Sequence, residues 1–93
     1  MLDPDLRYLI QISKFRSMAR AADELSVSQS TLSRAVQRLE ARFGVALVER
    51  TPRGVCLTDA GSRLVSRVQI ADRHLRDAEQ EMLDIAKARQ GVV

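Results

Sequence analysis

Only three residues, Ser26-Val27-Ser28, separate two apolar stripes of helical period, and that spacing constrains the fold more than any other feature of the chain. Before the break, Met18, Ala21, Ala22 and Leu25 recur at i, i+3, i+4 and i+7. After it, Leu32, Ala35, Val36 and Leu39 repeat the spacing, and Phe43 extends it to i+11. The first stripe is built largely from alanine, so a second helix can approach it closely. A connector this short makes the two helices turn tightly against each other, the helix-turn-helix arrangement. The flanking residues agree. Ser17 and Ser28 precede the two runs as helix caps, and Gly44 follows the second, where a left-handed residue ends a helix.

The segments on either side complete a fold. Asp3-Pro4 reads as a cap and a first-turn proline, and Leu6, Leu9 and Ile10 carry a first helix to about Phe15. After Gly44 the pattern changes. The runs Val45–Arg50 and Val55–Leu57 are short and contain β-branched residues, and Thr51-Pro52-Arg53-Gly54 lies between them. Proline at i+1 and glycine at i+3 suit a type I turn, so a small hairpin is predicted. Thr58-Asp59 then starts a helix that no proline interrupts before Gln90, with Gly61 as its one interior glycine. Such a helix is ~50 Å long. Along it Leu64, Val68, Ala71, Leu75, Ala78, Met82 and Ile85 step alternately by four and three, a heptad seam. A preceding body of about 57 residues is too small to cover that seam, so pairing with another chain is expected, with Gly61 admitting a partner's backbone. The predicted fold class is mainly α: three helices and a two-stranded wing over residues 1–57, a long dimerisation helix over 58–90, and a tail over 91–93.

Composition removes several functions. The chain of 93 residues has one cysteine, Cys56, and one histidine, His74. No internal disulfide, cysteine zinc cluster or two-histidine metal site is therefore available, and neither a metal nor a cofactor is expected. His74 has no nucleophile-elbow pattern to serve, so the chain is not expected to be an enzyme. Its three aromatics, Tyr8, Phe15 and Phe43, are too few for an RNA-stacking platform. No apolar run approaches the ~20 residues of a membrane span, and Met1-Leu2-Asp3-Pro4-Asp5 has no signal-peptide core. A reducing, cytoplasmic setting without a membrane partner is expected.

The charge is placed unevenly. Residues 58–93 hold six basic and six acidic side chains, so the net charge of +3 belongs to the first 57 residues. It concentrates in residues 26–57, where Arg34, Arg38, Arg42, Arg50 and Arg53 stand against Glu40 and Glu49. On the third helix, Ser30, Ser33, Arg34, Gln37 and Arg38 lie opposite the apolar stripe, and Gln29 stands at its start. Serine, glutamine and arginine are the groups that hydrogen-bond base edges in a major groove. A solvated polar face is the plainer explanation for one amphipathic helix, but the absence of acids from this face weakens it. Arg50 and Arg53 flank or occupy the hairpin turn. Such a tip can lie along a phosphate backbone or enter a minor groove, and it can equally be an ordinary surface turn. Ser17 caps a helix whose first N–H groups can meet a phosphate, a role compatible with capping.

The residues also resemble a known family. Ala21-Ala22-Asp23-Glu24-Leu25-Ser26-Val27-Ser28-Gln29-Ser30-Thr31-Leu32-Ser33-Arg34 is similar to the pattern of LysR-type transcriptional regulators. So are Leu39-Glu40, Phe43-Gly44-Val45, Leu47, Arg50-Thr51-Pro52-Arg53-Gly54 and Leu57-Thr58-Asp59-Ala60-Gly61. The resemblance runs from Leu6 to the late eighties. It implies a winged helix-turn-helix that binds double-stranded DNA, with recognition helix 29–43 in the major groove and a homodimer formed by antiparallel pairing of the long helices. By position, Gln29, Ser30, Ser33 and Arg34 should face bases and Arg53 the minor groove. Ser17, Arg50 and Arg38 should face phosphates, and Leu64, Val68, Ala71, Leu75, Ala78, Met82 and Ile85 the dimer partner. The resemblance further implies a C-terminal domain beyond this chain that binds a small-molecule effector and drives tetramer formation.

Overall fold

The computed structural model describes residues 2–91; Met1 and the last two residues of the expected tail, Val92 and Val93, lie outside the described residues. Helix α1 runs Pro4–Phe15, α2 Met18–Leu25, α3 Gln29–Phe43 and α4 Asp59–Arg89, with strands β1 Val48–Thr51 and β2 Gly54–Leu57 between α3 and α4. Each helix start is satisfied by the residue its sequence offers. Asp3 accepts from the Asp5 N–H at 2.9 Å, Ser17 from Arg20 at 3.2 Å, Ser28 from Thr31 at 3.1 Å and Thr58 from Gly61 at 3.1 Å. These bonds occupy N–H groups that the first turn of a helix leaves without partners. The ends of α1, α2 and α3 pass through left-handed residues, Arg16, Ser26 and Gly44. Only the last is a glycine, so the first two ends could not be read from composition. Among the described residues no helix is long and apolar enough to cross a membrane.

Two apolar clusters meet along α1. One gathers Ile12, Met18, Ala21, Ala22, Leu32, Val36 and Val55 where α1, α2, α3 and β2 converge. The other joins Leu9 and Ile10 to Leu39, Leu47, Val65 and Val68, so α1 also carries the first turns of α4. Ala21, Leu32 and Ala35 are fully enclosed, as expected where small residues let α2 and α3 close on each other. A completely buried leucine contributes roughly 1.5–3 kcal/mol, so Leu9, Leu32, Leu39 and Leu47 do much to hold the body together.

The hairpin is antiparallel and pairs Val48 with Leu57, Glu49 with Cys56, Arg50 with Val55 and Thr51 with Gly54. Its first strand is shorter than the apolar run predicts, because Val45, Ala46 and Leu47 lie outside it. Their backbone groups have other partners. The Glu40 carboxylate accepts from the Leu47 N–H at 2.7 Å and the Val48 N–H at 3.4 Å. The Thr58 N–H donates to the Leu47 carbonyl and the Thr58 hydroxyl to the Ala46 carbonyl.

Two further expectations are corrected. Phe43 does not complete the buried stripe of α3: it is 43% exposed, with the Arg42 guanidinium 4.7 Å from its ring centroid. It stands on the last residue of the helix, past the reach of α1, and the cation covers the ring instead. Gly61 does not admit a partner chain. A side-chain carbon there would stand 2.1 Å from the Leu47 carbonyl oxygen of the same chain. The close approach that requires glycine is internal.

Candidate nucleic-acid interface

The body fastens α3 by its back and leaves its front open. Leu32, Ala35, Val36 and Leu39 are buried, and the side of the helix next to α1 is tied by charge. Arg38 donates through Nε and Nη2 to the two carboxylate oxygens of Asp5, both at 2.9 Å, and Arg42 donates to Asp3 at 2.8 Å. Two planar donors on two acceptors is the strong form of this pair. Arg38, expected to face a phosphate, links α1 to α3 through Asp5 while its side chain stays 58% exposed. The sequence signal for the link was the acidic start of α1, which reads equally well as a simple cap.

The hydrogen bonds from Arg38 are the main reason the Asp5 carboxyl sits below its ordinary value; partial burial opposes them, and the charges of Arg38 and Arg42 add to them. A carboxyl depressed in the folded state stabilises fully above its unfolded value and loses that contribution as the pH falls through the folded one. Asp5→Asn is therefore expected to be less stable than wild type from pH 7 down to about pH 5, with the gap closing in stronger acid. Urea denaturation from pH 7 down to about pH 2 checks it, and a gap that does not close in acid would show that the charge of Asp5 does not matter.

On the open side, Gln29, Ser30, Arg34 and Gln37 are exposed. Gln29, Arg34 and Gln37 have no hydrogen-bond or ion-pair partner among the described residues, while the Ser30 hydroxyl meets that of Ser28 at 3.0 Å. Ser33 is half-buried, and its oxygen accepts from Arg50 Nη2 at 3.0 Å. Arg50, expected at a phosphate, thus reaches from the wing to α3. With Arg38 and Arg42 paired to acids, the arginines of residues 26–57 that have no carboxylate partner among the described residues are Arg34, Arg50 and Arg53.

Arg53 occupies the exposed hairpin tip, where its N–H donates to the Thr51 hydroxyl at 3.2 Å. The base of the wing is clamped to the body. The Val55 N–H donates to the Arg16 carbonyl at 3.1 Å. Gly54, at φ 128°, lies so close that a side-chain carbon would stand 2.3 Å from the Arg16 oxygen. Positive φ and contact with another backbone each select glycine here. The clamp sets the wing beside the α1–α2 turn, next to Ser17, the cap of α2. Sequence reasoning missed Arg16 and Arg20, both exposed and free of ion pairs among the described residues.

The seam of α4 divides in two. Val68 is buried and Leu64 half-buried against the chain's own core, together with Val65, which lies off the heptad. The first two seam positions are thus used internally. Beyond them Ala71 and Ala78 are exposed and Leu75 half-buried, while Met82 and Ile85 are 56% and 46% exposed. The molecule is 57 Å long but only 26 and 20 Å across, because the last turns of α4 leave the body.

Comparison with known proteins agrees with this architecture. Residues 4–62 match the family described as bacterial regulatory helix-turn-helix protein, lysR family. The HTH-type transcriptional regulator CrgA of Neisseria meningitidis is 37% identical over 89 residues, covering 96% of this chain and 30% of CrgA. The chain thus spans about a third of the length of this curated relative. Among solved structures, the DNA-binding domain of CbnR in complex with DNA superposes with a TM-score of 0.76 at 35% identity, covering 91% of this chain and 99% of that one. The DNA-binding domain of BenM bound to catB site 1 DNA gives 0.74 at 31% identity, covering 100% and 97%. The fold is a winged helix-turn-helix followed by a long helix, and the chain belongs to the LysR family of bacterial regulatory helix-turn-helix proteins.

Proposed function

We propose that this chain is the sequence-specific DNA-binding and dimerising part of a LysR-type transcriptional regulator. One observation carries the reading. The front of α3 presents Gln29, Arg34 and Gln37 without a protein partner among the described residues, while Asp3, Asp5 and Glu40 are engaged behind it. Guanidinium and carboxamide groups held on a rigid, backed helix suit base edges in a major groove. The resemblance to DNA-bound domains of CbnR and BenM supports the same reading. Gln29, Ser30, Ser33 and Arg34 then face bases, Arg53 at the wing tip enters the adjacent minor groove, and Ser17 at the start of α2 meets a phosphate. The site binds and does not catalyse. In the longer regulator a C-terminal domain takes a small effector and assembles tetramers.

Arg34→Ala and Gln29→Ala are each expected to weaken binding to the selected duplex by ~1–3 kcal/mol and to relax the preference at one base pair. Fluorescence anisotropy on selected and scrambled duplexes measures this. Equal affinity for both duplexes, in wild type and variants alike, rules out base reading.

The exposed half of the α4 seam supports a homodimer through Ala71, Leu75, Ala78, Met82 and Ile85; the antiparallel direction rests on the family resemblance alone. Leu75→Asp and Met82→Asp place a charge in that seam and are expected to convert the dimer to monomer in sedimentation. Met82 lies outside the body, so its variant keeps the fold. A dimer that survives both substitutions is held together elsewhere.

A further inference from the structure

We propose that Arg50 is a positioning residue for base selection, fixing the Ser33 hydroxyl as a hydrogen-bond donor toward the DNA; this rests on the proposed DNA-reading function. The guanidinium of arginine carries donors only, so in the 3.0 Å bond between Arg50 Nη2 and Ser33 Oγ the serine oxygen must accept. A serine hydroxyl has two acceptor sites and one proton. Within a helix that proton commonly goes back to a carbonyl one turn earlier, as Ser13 does here, donating to Ile10 at 2.6 Å. Ser33 makes no such bond and has no acceptor for its proton among the described residues. Its oxygen is occupied from the wing side, and its proton is left for a group outside the chain. Ser33 lies one turn from both Gln29 and Gln37, in the stretch assigned to base reading.

The chemical consequence is selective. Serine alone suits donor and acceptor edges alike, because the hydroxyl can rotate. With one acceptor site filled by Arg50, the group is biased to donate. It then favours guanine N7 or O6, adenine N7 or thymine O4 in the contacted strand, and disfavours the N4 amino group of cytosine. Arg50 sets this choice without touching the base. The device also couples the two halves of the site: a shift of the wing against α3 changes what Ser33 can read.

The test is selection from a randomised duplex pool with wild type, Arg50→Ala, Ser33→Ala and the double variant, with salt dependence measured for each. Arg50 is exposed, so its truncation leaves the core intact. Arg50→Ala and Ser33→Ala are expected to relax the same base pair of each half-site, roughly 2- to 12-fold, the range of one neutral hydrogen bond. The double variant adds nothing further at that position, and the salt slope is unchanged. A uniform loss of affinity across all sequences in Arg50→Ala, with a slope shallower by about one per protomer, would mean that Arg50 neutralises a phosphate. That outcome overturns this assignment and leaves the DNA-reading function standing. A wild type that selects no duplex overturns both.

Discussion

Raising the salt from 50 to 200 mM is expected to weaken duplex binding by this chain by a factor on the order of 10². Arg16 and Arg20 are exposed beside Ser17, the residue proposed to meet a phosphate, and have no carboxylate partner among the described residues; Arg34 and Arg53 are assigned to base edges and the minor groove and do not enter the count. Each such cation that meets a phosphate releases close to one condensed counterion. Four contacts in the proposed dimer give a log–log slope of about −3.6, and a fourfold rise in salt then yields the stated loss. Arg38 and Arg42 do not enter the count, because Asp5 and Asp3 already hold them. Titrations at four or five salt concentrations provide the slope. A value near zero would mean that these arginines never reach the backbone, and the placement of the α1–α2 turn against DNA would fail with it.

Gly61→Ala is expected to destabilise the protein by about 3 kcal/mol, against the usual sign for that substitution in a helix. Elsewhere in a helix interior, alanine is better than glycine by about 1 kcal/mol. At this position the added carbon would meet the Leu47 carbonyl oxygen at 2.1 Å and its carbonyl carbon at 3.0 Å. Both are backbone atoms in a segment fixed by Glu40 on one side and Thr58 on the other. No side chain can rotate away, so α4 or the start of the hairpin must move. Overpacking of this kind typically costs 1–3 kcal/mol, occasionally more, and a backbone obstacle puts it at the upper end. For a domain of this size the melting temperature falls by roughly 12–24 °C. Calorimetry at one fixed protein concentration is the check, since a dimer's melting point also depends on concentration. An unchanged or higher melting temperature would show that α4 is not seated on Leu47.

Much of this was legible along the chain because its signals are local. A cap bonds to an N–H two or three residues away, so Asp3, Ser17, Ser28 and Thr58 announce helix starts wherever the rest of the chain goes. The apolar stripe of α3 and its polar front are likewise properties of one helix. Contacts between distant segments carry no such mark. Glu40 resembles any solvent-facing acid until its carboxylate is found holding the hairpin's first strand. Asp5 resembles a first-turn acid until Arg38 is found across from it, 33 residues away.

By itself, then, the order of residues determined the four helices, the presence of a hairpin turn at Thr51–Gly54 and a polar, acid-free front on α3, because periodicity, caps and turn residues act over a few positions. Only the tertiary structure decided which arginines remain free to meet a polyanion, which glycine answers to its own chain, and where the α4 seam stops serving the core. Those are questions of which side chain reaches which partner across distant stretches of the sequence. They are settled by how helices pack, not by what each helix contains.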